Sequence, residues 1–130
     1  MLTLGLTGKE SLIVNLNKCA SAVGSGELAV LATPVLAALM EQTAAASIAG
    51  KTEKGTTTVG TSLSIRHLSP TPVGMTVYCE SELTEIDGRR LVFKLTAYDA
   101  AGVIGTATHE RVIIDREAFL RKADEKRAQR

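Results

Sequence analysis

The chain has 130 residues, a net charge of +1 and 45% apolar residues, but only 3% aromatics. That is one domain's length, enough to bury about two-thirds of the unfolded surface, around a core of Val, Leu, Ile and Ala. Near-neutral charge excludes a nucleic-acid partner, which needs a basic stripe with stacking aromatics, and Cys19 and Cys79 are too few for a disulfide framework or a metal site.

The start, Met1-Leu2-Thr3-Leu4-Gly5, lacks the basic and long apolar regions of a signal peptide. No stretch reaches the roughly 18 apolar residues of a membrane span. A reduced, cytoplasmic protein with no membrane partner is expected. Residues 11–16 read as a short strand. Residues 17–30, rich in Ala, Gly and Ser, read as irregular or loosely helical, with Gly24-Ser25-Gly26 as a loop. A helix over 33–50 opens at Thr33-Pro34, with Thr as N-cap and Pro at the first helical position, and stops at Gly50. It is apolar nearly all round, which predicts burial on most sides.

From residue 56 the period changes to that of strands. Four are expected over 56–68, 75–86, 90–98 and 103–114, with Asp87-Gly88 as a hairpin turn and Pro70, Pro72 and Gly74 in another. Asp115 can cap a short C-terminal helix. The basic residues Arg121, Lys122, Lys126, Arg127 and Arg130, interrupted by Asp124 and Glu125, read as its solvated end. Tight turns force antiparallel pairing, and one apolar helix and one sheet bury each other when the sheet wraps the helix. The whole chain, 1–130, thus reads as one α+β domain with about five strands around one long helix.

Three residues could carry chemistry. Alternation places Val59, Thr61, Leu63, Ile65 and His67 on one strand face, toward the helix. Glu41 sits among Ala37, Ala38, Ala44, Ala45 and Ile48 on its helix, a setting where an unpaired carboxylate is costly. His67 is a natural partner, and a carboxylate orienting an imidazole is a general-base arrangement. Plainer accounts compete: a rim position for Glu41, a hydrogen-bonded core histidine for His67, a helix cap for Thr33. Thr33 and Glu41 are eight residues apart, about 12 Å along a helix axis. A site using both needs a group between them or one residue from each of two subunits, and the second arrangement is preferred. His109 shares a strand face with Gly105, Ala107, Arg111 and Ile113 and reads as structural. Cys79 reads as a small buried hydrophobe.

The spacing of Ala32-Thr33-Pro34, Glu41, Gly60-Thr61, His67, Pro70, Pro72, Gly74, Gly88-Arg89-Arg90 and 105–111 (Gly-Thr-Ala-Thr-His-Glu-Arg) resembles the fluoroacetyl-CoA thioesterase branch of the hot-dog superfamily. The resemblance spans about two-thirds of the chain, from Thr33 to Asp115. It implies a hot-dog fold, a homodimer with its sites at the dimer interface, and hydrolysis of a small or medium acyl-CoA thioester. Pairing of such dimers into tetramers is left open. It places Thr33, Glu41 and His67 on the catalytic Thr, Glu and His, and Gly60 and Thr61 beside the thioester. Coenzyme A then enters as part of the substrate, with no cofactor and no metal. Fluoroacetyl-specific members gate the site with aromatics ahead of the catalytic Thr; residues 20–31 contain none, which implies a different acyl group. Lys51, Lys54, Arg66, Arg89 and Arg90 are the candidates for CoA phosphates. An enoyl-CoA hydratase on the same fold, a non-catalytic acyl-CoA or small-acid binding module, and a ligand-free scaffold are the competing readings.

Overall fold

Strand-forming residues dominate the part of the chain that follows an alanine-rich stretch, and the elements follow that division in a computed structural model describing residues 1–128. The order is β1 (Thr7–Ile13), a 3-10 turn, α1 (Ala20–Val23), α2 (Thr33–Ile48), β2 (Thr56–His67), β3 (Thr76–Asp87), β4 (Arg90–Asp99), β5 (Gly102–Asp115) and α3 (Arg116–Asp124). A second 3-10 turn closes the described chain, and Arg130 of the basic cluster lies outside the described residues. The five strands form one antiparallel sheet in the order β1-β3-β4-β5-β2. The sheet curls around α2, giving the expected α+β hot-dog architecture.

The core lies between α2 and the concave face of the sheet. Leu36, Leu39, Met40, Ala44 and Ile48 of α2 meet Val77, Cys79 and Leu83 of β3, Leu91, Phe93 and Leu95 of β4, and Ile104 of β5. Burying each large apolar side chain contributes about 1.5–3 kcal/mol. Both cysteines are fully buried. Burial pushes the Cys79 thiol up to about 11, partly opposed by a hydrogen bond with Thr43. No helix among the described residues is long and apolar enough to cross a membrane.

Three local expectations are revised. β1 begins at Thr7 rather than at residue 11, because its polar start is an edge strand paired only with β3. There Gly8 lets α2 approach closely: a Cβ on it would lie 2.7 Å from Cβ of Ser47. The helix ends at Ile48, and Gly50 then turns the chain with φ +74°. Burial of α2 is one-sided. Leu36, Leu39, Met40, Thr43, Ala44 and Ile48 are buried, while Ala38, Glu41, Gln42 and Ala46 are exposed. Periodicity could not locate this uncovered flank because its alanines count as apolar while offering little surface. Asp115 does cap α3, accepting the Ala118 amide at 2.9 Å.

Candidate active site

The N-terminus of α2 is built differently from the expectation. The cap is Ala32, with Thr33 the first helical residue and Pro34 behind it. Ala32 is anchored because its amide donates to Lys18 O at 3.0 Å and its carbonyl accepts from Leu36 N at 3.0 Å. The Thr33 hydroxyl makes no capping bond and is free for another partner. That partner is His67, at the end of β2, whose Nδ1 lies 2.8 Å from Thr33 Oγ1. The pair opens on a cleft of about 290 Å³, whose walls include Ala20, Val30, Leu31, Leu68 and Pro70.

Burial holds the His67 imidazole below its ordinary pKa, with a backbone group of Ser69 opposing this in part. Its second nitrogen, Nε2, is sealed from solvent and has no partner in hydrogen-bonding geometry. Within this one chain His67 therefore meets Thr33 and not Glu41. Nδ1 lies beside Thr33 Oγ1, and Nε2 has no carboxylate partner within the chain. The helix axis already separates Glu41 from Thr33 by about 12 Å.

Glu41 instead faces the middle of β2. A Cβ on Gly60 would lie 2.7 Å from Glu41 Oε2, 3.1 Å from His109 Cε1 and 3.4 Å from Arg111 Nη1. The strand reaches this geometry through a β-bulge. Gly60 pairs with Arg111 and Ser62 with Glu110, so the ladder skips Thr61. An inserted residue exchanges the two faces of the strand beyond it. Leu63, Ile65 and His67 therefore face α2 as expected, but so do Thr58 and Gly60, in place of Val59 and Thr61. Thr61 is exposed, and its hydroxyl donates to Glu110 O at 3.2 Å.

Sequence reasoning missed two members of this cluster. Arg111, 8% exposed, donates from Nε to Thr58 Oγ1 at 2.9 Å and from Nη2 to Thr58 O at 3.1 Å. Burial pushes its pKa down, and the nearby Glu41 charge opposes that shift. His109, fully buried, has Nδ1 2.7 Å from Ser62 O and Nε2 3.2 Å from Arg111 Nη1. The available signal was a His and an Arg two apart, sharing a face with the small residues Gly105 and Ala107. Among the described residues, no group of three or more His, Cys, Asp or Glu side chains could hold a metal ion.

The chain thus gathers these residues in two separate clusters, Thr33 with His67 and Glu41 with Gly60 and Arg111. The chain matches the family of fluoroacetyl-CoA-specific thioesterases over residues 14–117. The chain belongs to that family. The match starts well before Thr33, so the segment leading into α2 is part of the resemblance too. Fluoroacetyl-CoA thioesterase from Streptantibioticus cattleyicolor is 37% identical over 97 residues, covering 75% of this chain and 70% of that protein. A solved fluoroacetyl-CoA thioesterase FlK superposes with a TM-score of 0.88 at 32% identity, over 97% of this chain and 98% of that one. A mutant of that enzyme in complex with acetyl-CoA gives 0.90 at 29% identity, over 96% and 98%. The protein is an acyl-CoA thioester hydrolase on the hot-dog fold.

Proposed function

We propose that the protein is a homodimer that hydrolyses small acyl-CoA thioesters other than fluoroacetyl-CoA, with Thr33 and His67 of one protomer facing Glu41 of the other. The carrying observation is the 2.8 Å contact between Thr33 Oγ1 and His67 Nδ1 in an open cleft. A hydroxyl hydrogen-bonded to a largely neutral imidazole is an activated nucleophile. Oγ1 attacks the thioester carbonyl while Nδ1 takes the hydroxyl proton. The tetrahedral oxyanion is held by backbone amides, with Gly60, the bulged Thr61 and the positive end of α2 as the sources. Collapse expels CoA thiolate, which takes the proton from His67. Water then attacks the acyl-Thr33 ester as Glu41 of the partner subunit takes its proton; the acyl–Oγ1 bond breaks, that proton passes to Thr33 Oγ1, and the acid is released.

Two features support the second copy. β2 is a 12-residue edge strand whose outer ladder is unpaired within the protomer, and such edges template pairing with another chain. The exposed alanine flank of α2 is the second feature. Antiparallel pairing of β2 with its copy about the strand midpoint brings the His67 end of one strand beside the Thr56–Gly60 region of the other. The two clusters then meet.

The absence of aromatics between residues 20 and 31 supports an acyl group other than fluoroacetyl. The cleft walls of Val30, Leu31 and Leu68 suit a small aliphatic group. For the CoA phosphates, Arg90 is already engaged by Glu110 and Glu85 at 2.7 and 2.6 Å. Lys54 is better placed, beside Arg116 on a groove of about 740 Å³ that runs from Gln42 and Arg111 along α2.

The test is thiol release across acetyl-, fluoroacetyl-, short branched, medium-chain and aryl-CoA. Turnover of one of the small non-fluorinated esters ahead of fluoroacetyl-CoA is expected. Binding of acyl-CoA without release by a folded dimer would favour the binding-module reading. Gly60→Ala should lower kcat about 10- to 100-fold, since displacing a catalytic group by an ångström has that effect. The added Cβ must push Glu41 away. Steady-state kinetics beside a thermal melt checks this, and unchanged kcat would remove Gly60 from the site.

A further inference from the structure

We propose that His109 is a positioning residue that ties the β2 bulge to the Arg111 guanidinium and so fixes the surface against which Glu41 packs. The proposal rests on the reading that Glu41 and Gly60 belong to the active site.

His109 has no exposed surface, and its two nitrogens have different neighbours. Ser62 O, 2.7 Å from Nδ1, can only accept, so Nδ1 carries the proton. Arg111 Nη1, 3.2 Å from Nε2, can only donate, so Nε2 is the acceptor. Only the neutral ring in this tautomer satisfies both. One end of the ring holds the strand one residue past the bulge. The other end completes a set of three bonds that lock Arg111, alongside the two to Thr58. The ring edge itself forms part of the floor at Gly60, with Cε1 3.1 Å from where a Cβ would sit. Phe93 of β4 closes the far side, ring centres 6.2 Å apart.

The groups facing His109 are Glu41 from α2, Arg111 from β5, the Ser62 carbonyl from β2 and the uncharged Phe93 ring from β4. Burial is the largest influence and holds the ring neutral to lower pH. Arg111 acts the same way, while Ser62 and Glu41 oppose it. An imidazolium here would offer Arg111 a second cation and no acceptor.

A Gln and a Leu variant separate the bond to Arg111 from the bulk of the ring. In His109→Gln an amide oxygen can replace Nε2 as acceptor for Arg111; His109→Leu keeps bulk and removes both bonds. Expected for the Leu variant is a kcat loss of about 10- to 100-fold with KM little changed. Expected for the Gln variant is recovery to within a few fold of the parent. In ¹⁵N NMR the parent should show a protonated Nδ1, and a slowly exchanging Arg111 Nη1–H kept in Gln and lost in Leu. The NMR arm needs no turnover, so a parent that releases no thiol would sink the functional reading while the clamp is still measured. A Leu variant with parental kcat and a retained Arg111 signal would overturn the proposal. So would a protonated Nε2 in the parent, or equal losses in Leu and Gln; if Leu does not fold, Gln and the parent tautomer decide.

Discussion

Replacing His67 by Ala is expected to reduce kcat by about 10²- to 10⁴-fold, the range of a single general base, with much less change in KM. The ring touches Thr33 through Nδ1 and lies in an open cleft, so its removal deletes the proton acceptor and leaves the core of α2 and the sheet in place. The melting temperature should therefore stay close to the parent's. The pH profile gives an independent reading. Burial places the His67 pKa below its ordinary 6.5, so the neutral, proton-accepting ring persists to lower pH than a free histidine would. Activity should stay flat down through 6.5 and fall only as pH drops through the depressed value. An acid limb above 6.5, or a variant that retains parental kcat, would exclude Nδ1 as the base.

Mixing two inactive chains should restore activity. Thr33→Ala keeps Glu41, and Glu41→Ala keeps Thr33 with His67. If the site is shared between protomers, a heterodimer of the two has one intact site and one doubly damaged site. Random re-pairing of equal amounts makes about half the dimers mixed, so about a quarter of parental activity should return. If each protomer had a self-sufficient site, both sites of the heterodimer would stay dead. Mass spectrometry to establish the mixed dimer, followed by thiol release, separates the outcomes. The geometry behind this expectation is the helix: eight residues of α2 hold Thr33 and Glu41 about 12 Å apart, and each already has its own set of neighbours.

The large features were legible from pattern alone. Thr33-Pro34 marked the start of α2, Asp87-Gly88 marked the hairpin between β3 and β4, and Asp115 marked α3. Two kinds of information were hidden. Alternation assumes an unbroken ladder, and the bulge at Thr61 exchanged the faces of β2, so Gly60 turned out to face Glu41 where Thr61 had been expected inward. A bulge depends on what the neighbouring strand offers, here Arg111 and Glu110, and the trace of it in β2 is Gly60, a glycine in the strand interior beside the skipped residue. His67 and Glu41 were paired by the economy of joining two buried ionisable groups. Each had a nearer partner on another element, Thr33 for one and the Gly60–Arg111 cluster for the other. The cap position shows the same limit. Thr33 has the chemistry of a cap, but Ala32 takes that place because Lys18 holds it there, which leaves the hydroxyl for His67.

The reaction liberates a reactive sulfhydryl at every turnover, beside an enzyme with two sulfhydryls of its own. Cys19 and Cys79 are both fully enclosed, and Cys79 is held almost entirely protonated at neutral pH. Only an accessible thiolate takes part in disulfide exchange. Oxidised coenzyme A accumulating around the protein therefore finds nothing to couple to, and its catalytic lifetime is insulated from the redox history of its own product.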